Sequence, residues 1–193
     1  MPGPPESELP NTFTAAQAGQ RGLSRRVLAS LQQEGEVERI GHGLFRRTSA
    51  PLVDLDLVEI AVRAHAPTLC LVSALARHGL TDQIPAKHDV AVPRGQWQPK
   101  VSAQVRWHRF NPATFDVGRT EITVDGDHTI GLYDAPRSII DAFRMRTTIG
   151  PDVANEALRR WLREGGQPSL LLRHVNSFPR TRTAVLSALQ VLL

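Results

Sequence analysis

Two adjacent arginines, Arg25 and Arg26, are followed by Ser30 and Gln33 at spacings that can place these side chains on one side of a helix. Arginine can donate paired hydrogen bonds to guanine or neutralise a phosphate, and glutamine can pair with adenine. Cations at a helix N-terminus oppose the helix dipole, so stability alone does not explain them. The residue types therefore indicate contact with a DNA major groove, while ordinary exposed arginines on a structural helix remain the alternative.

The segment that must position these residues has the pattern of a short helix, a tight turn, a second helix and a hairpin. Thr14 and Ser24 are suited to cap the two helices, and Gly35 is suited to end the second. The second helix has an apolar stripe that we expect to be buried, formed by Val27, Leu28 and Leu31. This spacing is typical of a helix-turn-helix.

The hairpin after the second helix predicts a wing. Two short apolar strands flank the turn Gly41-His42-Gly43, which places His42 at the tip. Arg46 and Arg47 follow in the returning strand, where we expect them to hold phosphates near the base of the wing. The predicted DNA-binding residues are therefore Ser24, Arg25, Arg26, Ser30, Gln33, His42, Arg46 and Arg47.

Composition limits the possible classes of protein. The chain has 193 residues and a net charge of +4, and its basic residues are 21 arginines and 2 lysines. A basic chain fits an acidic partner such as DNA, although a GC-rich genome also enriches arginine. Cys70 is the one cysteine, which excludes an internal disulfide. Without an apolar run of about 20 residues or a signal peptide, the sequence predicts no membrane partner and a cytoplasmic location.

The chain divides into three predicted segments. Residues 1–11 are rich in proline and predict a disordered leader, 12–50 form the winged helix-turn-helix, and 54–193 form a second domain. Alternation of apolar and polar residues between Asp89 and Tyr133 predicts strands and a hairpin at Asp125-Gly126. Apolar residues at helical spacing predict helices elsewhere in the second domain, at Leu69–His78 and through its last third. The expected fold class is α+β, with a small sheet and a helical C-terminal third.

The second domain shows no catalytic constellation. It lacks H-E-x-x-H, phosphate-loop and dinucleotide motifs, and neither Lys87 nor Lys100 follows a glutamate at the spacing of a nuclease. We therefore expect neither an enzyme nor a cofactor. A degenerate nuclease-like domain and a protein-interaction adaptor remain the alternatives. The outward cluster Arg159, Arg160 and Arg163 suits either a solvated face or an acidic partner.

The order of these elements resembles the AbiEi family of antitoxins. The matching stretches are FTAAQAGQRGLSRRVLASLQQEGEVERIGHGLFRR, LCLVSALARHGLTDQIP, HDVAVP and YDAPRSIIDAFRMRTTIGPDVANEAL, which together cover most of the chain from Phe13 on. Family members usually begin with a further helix, which the prolines at 2, 4, 5 and 10 disfavour here.

The resemblance implies a transcriptional repressor that is also an antitoxin. It would autorepress its operon by binding inverted repeats, with two copies on the DNA. It further implies a cognate nucleotidyltransferase toxin of the AbiEii kind, which the domain from Asp54 onward would neutralise. This second role follows from the resemblance alone.

Overall fold

The computed structural model describes residues 9–126 and 128–192 of the chain, which form two compact units. The first unit contains the described residues up to Ala64 together with Pro99–Ala103 and Thr123–Ile130. The second contains His65–Gln98, Gln104–Ile122 and the residues from Gly131 onward.

The first unit is a winged helix-turn-helix with a further helix after the wing. Its elements are β1 (Thr12–Thr14), α1 (Ala15–Gln20), α2 (Arg25–Gln33), β2 (Val37–Gly41), β3 (Leu44–Arg47) and α3 (Leu55–Arg63). The three strands form an antiparallel sheet in the order β1-β3-β2. The wing is the β2–β3 hairpin with its turn Gly41-His42-Gly43.

Local chemistry sets the ends of the two helices of the motif. Thr14 forms a capping box with Gln17 at the start of α1, and the Ser24 hydroxyl accepts the Val27 N–H at 3.3 Å at the start of α2. Gly35 follows α2 with φ of 77°, a conformation that glycine adopts without strain. The predicted caps and stop are therefore confirmed.

The core of the first unit differs from the predicted stripe at one position. Leu28 and Leu31 are buried as predicted, but Val27 is 40% exposed. Helix α2 packs against α1 and β2 through Leu28 and Leu31, which leaves Val27 at the edge of the contact. The core cluster consists of Leu9, Phe13, Ala18, Leu23, Leu28, Leu31, Val37 and Phe45.

The last residues of the predicted leader belong to this core. Leu9 is 5% exposed and packs with the core cluster, and the Arg47 N–H donates to the Asn11 carbonyl at 2.9 Å. The prediction of disorder is wrong for residues 9–11, because an apolar side chain and a backbone hydrogen bond attach them to the sheet. The rest of the predicted leader, residues 1–8, lies outside the described residues.

Helix α3 also belongs to the first unit, although the sequence placed it in the second domain. Asp54 caps it by accepting the Leu57 N–H at 3.2 Å. The helix packs against β2 of the wing. The compact units therefore differ from the predicted limits 12–50 and 54–193 at this point.

The second unit combines a mixed sheet with a helical C-terminal part. Its elements are β4 (Thr68–Leu69), α4 (Leu71–Arg77), β5 (His88–Pro93), β6 (Val105–Phe110), α5 (Pro112–Phe115), β7 (Arg119–Asp125), β8 (His128–Tyr133), α6 (Ala135–Arg144), α7 (Arg146–Ile149), α8 (Pro151–Arg163), α9 (Pro168–Val175) and α10 (Pro179–Leu192). The end of β7 and the start of β8 fall in the segment 123–130, which is assigned to the first unit. The strand order is β6-β5-β4-β8-β7. These elements confirm the α+β class.

The start of the predicted helix Leu69–His78 is instead a strand. Thr68 and Leu69 pair antiparallel with β5 and parallel with β8, and α4 begins only at Leu71. The apolar run does not distinguish the two structures, because a central strand and a buried helix are both apolar throughout. Cys70, between them, is buried, and burial raises the pKa of its thiol well above the usual value.

A buried arginine lies at the centre of the second unit. Arg137 on α6 is fully buried, and its Nε donates to the Asp141 carboxylate at 2.8 Å. Its Nη1 donates to the carbonyls of Thr114 and Val117, both at 2.6 Å. The guanidinium carbon lies 4.1 Å from the centre of the Tyr133 ring. This arrangement connects α6 to the segment around α5 by charge-assisted hydrogen bonds.

Candidate nucleic-acid interface

The exposed face of α2 carries most of the predicted contact residues. Arg25 and Arg26 lie in its first turn, and both are exposed, as are Ser30 and Gln33. Neither guanidinium forms an ion pair with a carboxylate in residues 9–126 and 128–192. The positive charge of this face is therefore available to a phosphate or a base edge.

Two of the predicted polar contacts also have partners within the chain. The Ser24 oxygen accepts the Val27 N–H as the helix cap. The Ser30 hydroxyl donates to the Glu34 carboxylate at 2.7 Å. Ser30 consequently has only acceptor capacity left for a base, and Glu34 adds negative charge near it. Among the residues predicted on α2, Arg25, Arg26 and Gln33 are thus best suited to base contacts.

The wing exposes His42 at its tip and holds Arg47 half-buried near its base. The Arg47 guanidinium lies 3.5 Å from the Leu9 carbonyl oxygen, at the outer limit of a hydrogen bond. Both residues remain candidates for phosphate contact.

Arg46 is not on the exposed surface, and the structure corrects this prediction. Its side chain is 4% exposed, and Nη2 lies 3.3 Å from Oδ1 of Asp125 and donates to the Pro51 carbonyl. The Thr12 hydroxyl donates to the other carboxylate oxygen of Asp125. Because the side chain is buried and its guanidinium is bound to Asp125 and Pro51, Arg46 is not available to a phosphate.

Two arginines that the sequence analysis did not select lie at the wing. Arg39 on β2 is exposed, and its Nε donates to the Gly41 carbonyl at 3.0 Å. Arg63 at the end of α3 donates from Nη2 to the His42 carbonyl. The place of Arg39 within a predicted wing strand could have suggested it. No local signal identifies Arg63, because it follows the wing by many residues.

Some basic side chains of the second unit are paired with carboxylates. Arg159 and Arg160 both donate to Glu156, and Arg160 also pairs with Asp82. The hydrogen bond from Arg160 lowers the pKa of Glu156 most, and the hydrogen bond from Arg159 lowers it further. On the sheet, His108 lies 2.8 Å from the buried carboxylate of Asp89. Arg25 and Arg26 have no such carboxylate partner in residues 9–126 and 128–192, and they lie on the second helix of a helix-turn-helix beside its wing, which favours α2 as the candidate interface.

Residues 9–126 and 128–192 contain neither a candidate metal site nor a candidate membrane-spanning helix. No three histidine, cysteine, aspartate or glutamate side chains there come together in an arrangement that could hold a metal ion. In the same part of the chain, no helix combines the length and the apolar character that crossing a membrane requires.

The first unit has the fold and the exposed basic helix of a winged helix-turn-helix DNA-binding protein. Residues 6–48 match the family model AbiEi_4, described as "Transcriptional regulator, AbiEi antitoxin". This N-terminal segment is therefore similar to the AbiEi antitoxin transcriptional regulators, as its sequence motifs indicated. The later motifs of the resemblance lie outside the matched segment.

The fold of the chain is similar to a solved structure, the crystal structure of RV2827C protein from Mycobacterium tuberculosis. The two share 15% sequence identity with a TM-score of 0.54, over 91% of this chain and 73% of that one. At this identity the likeness concerns the fold alone. No curated protein matches the chain.

Proposed function

We propose that the protein represses transcription of its own operon by inserting α2 into the major groove of operator DNA. The observation that carries this proposal is the exposed, unpaired pair Arg25 and Arg26 on a capped helix beside a wing. Gln33 is exposed at the far end of the same helix and suits a contact with adenine. His42 and Arg47 would add contacts to the phosphate backbone from the wing.

The operator is proposed to be an inverted repeat that binds two copies of the chain. One helix and one short wing make few contacts, and single DNA-binding modules of this size bury a small area. Two copies on half-sites spaced by a helical turn double the contacts and fix the symmetry of the operator. Such a protein acts on the operon DNA in the cytoplasm.

We expect the wild-type chain to shift a DNA fragment from upstream of its own gene at low salt, with two chains bound per fragment. The affinity should fall steeply as salt rises, because binding releases counterions from the neutralised phosphates. Gel shift and fluorescence anisotropy measure both properties. A fragment with one scrambled half-site is the control and should bind more weakly. Absence of any shift by the wild type at low salt would remove the repressor proposal.

The antitoxin role is proposed to consist of neutralising a nucleotidyltransferase toxin encoded beside this gene. The family description of residues 6–48 supports an antitoxin, and the sequence motifs beyond that segment suggest the kind of toxin. The residues from 54 onward are proposed to carry this activity.

Co-expression with the neighbouring nucleotidyltransferase should restore the growth of cells that the toxin arrests. Colony counts with and without the chain measure the rescue. A variant with Arg25 and Arg26 replaced by alanine should rescue equally when transcribed from an independent promoter, because the proposed neutralising segment is unchanged. Continued growth arrest despite normal protein levels would contradict the antitoxin role.

A further inference from the structure

We propose that the wing tip binds two neighbouring phosphates of the DNA backbone, one through Arg39 and one through Arg63, with Glu59 as the positioning residue for Arg63. The inference rests on the proposed DNA-binding function and extends the interface to α3. Arg63 and Glu59 lie beyond residue 48, where the family match ends.

The two guanidiniums are anchored on consecutive carbonyls of one turn. Arg39 Nε donates to the Gly41 oxygen at 3.0 Å, and Arg63 Nη2 donates to the His42 oxygen. Neighbouring carbonyls of a tight turn are only a few ångströms apart, so both cations converge on the wing tip. Arg39 is exposed, and 25% of the Arg63 side chain is exposed.

Glu59 holds Arg63 in this position. Its Oε1 accepts from Arg63 Nε at 3.1 Å, while Oε2 accepts the backbone N–H groups of Ser102 and Ala103 at 2.8 and 3.0 Å. The Glu59 side chain is only 5% exposed. A carboxylate that is bonded through both oxygens cannot rotate away, so the Arg63 side chain is ordered before any ligand binds.

The packing around Glu59 extends to the wing backbone. A Cβ atom added at Gly41 would lie 3.0 Å from Glu59 Oε1, closer than ordinary contact. Because the carboxylate is fixed by its other partners, Gly41 allows the wing tip and α3 to approach closely. The wing turn and the end of α3 therefore form one fixed surface.

The chemistry of this surface suits a phosphate. Guanidinium groups present several donors in a plane and bind phosphate oxygens with charge-assisted hydrogen bonds. The Glu59 carboxylate is buried and accepts hydrogen bonds from the backbone N–H groups of Ser102 and Ala103, so it is not exposed to a phosphate at the wing tip. His42 is exposed at the same tip and can add a donor. A pre-ordered pair of cations loses little conformational entropy when it binds.

The double variant R39A/R63A tests the site through the salt dependence of operator binding. Each phosphate contact contributes about 0.9 to the slope of log affinity against log salt. Because this variant can no longer neutralise two phosphates, its decrease in affinity between 50 and 200 mM salt should be about tenfold smaller than that of the wild type. The preference for operator over scrambled DNA should remain, since no base contact is removed. The control R163A/R173A removes the same charge from exposed positions of the second unit and should keep the wild-type slope.

The positioning role of Glu59 has its own test, the variant Glu59→Gln. This change removes a negative charge near DNA, so charge alone predicts tighter binding, whereas loss of positioning predicts weaker binding. We expect Glu59→Gln to lower the affinity for the operator, by no more than Arg63→Ala does. Tighter binding would overturn the positioning role.

Folding effects and DNA contact can be separated. Among the described residues, the Arg39 guanidinium bonds only to a backbone carbonyl, so Arg39→Ala alone should keep the wild-type melting temperature and still lower the slope by about 0.9. Arg63→Lys keeps the positive charge beside Glu59. Unlike Arg63→Ala, it should have the wild-type slope of log affinity against log salt, but its affinity for the operator should be lower than that of the wild type. An unchanged slope in Arg39→Ala and in R39A/R63A, with the wild type binding its operator, overturns the phosphate site. A wild type that binds no DNA overturns the repressor proposal as well.

Discussion

Replacing Arg25 and Arg26 together with alanine is expected to abolish specific operator binding at physiological salt. Removing a bidentate hydrogen bond to a base costs about 1–3 kcal/mol, and the two substitutions act on the same bound state. Discrimination between operator and scrambled DNA should fall along with affinity, because base contacts carry the sequence information. Anisotropy titrations of both DNA fragments measure the two effects.

The double variant is expected to fold normally, so the weaker binding can be assigned to the interface. Both side chains are exposed, alanine favours helices, and removal of cations from a helix N-terminus relieves an unfavourable interaction with the dipole. R163A/R173A again provides the control with matched charge, and it should bind the operator with nearly wild-type affinity. If R25A/R26A keeps wild-type affinity and discrimination, a surface other than α2 must contact the bases.

Replacing Arg137 with alanine is expected to destabilise the second unit by about 3–5 kcal/mol, the range for breaking a buried ion pair. The change removes one guanidinium from the buried Asp141 and leaves the carbonyls of Thr114 and Val117 without their donor. It also leaves a cavity beside the Tyr133 ring. All three tryptophans belong to this unit, so their fluorescence in a urea titration reports its unfolding.

An exposed ion pair of the same unit gives the comparison. Arg159 pairs with Glu156 at 2.8 Å, with both side chains well exposed. Arg159→Ala should leave the free energy of unfolding nearly unchanged, because water screens such an exposed pair. Equal effects of Arg137→Ala and Arg159→Ala would show that the buried arginine does not stabilise the unit as proposed.

The sequence by itself determined the helix starts and ends that depend on residues only a few positions apart. Ser24 caps the N–H of Val27, three residues on, and Thr14 caps that of Gln17 at the same spacing. Gly35 ends α2, and Asp54 begins α3. Such short-range hydrogen bonds and backbone preferences act wherever the residue type occurs, so the winged helix-turn-helix and its exposed arginines could be predicted.

At the wing, by contrast, only the tertiary structure decided which arginines are free to bind a partner. The sequence predicted that Arg46 contacts phosphate, but in the structure Arg46 forms a buried ion pair with Asp125, which is 79 residues away in the chain. Arg63 became a candidate because Glu59 holds it, and Glu59 is in turn held by the backbone at Ser102, 43 residues on. Contacts at this separation depend on the path of the whole chain, which residue spacing does not encode locally. A charge on a strand is therefore identified in the sequence, but its exposure is fixed only when the chain has folded around it.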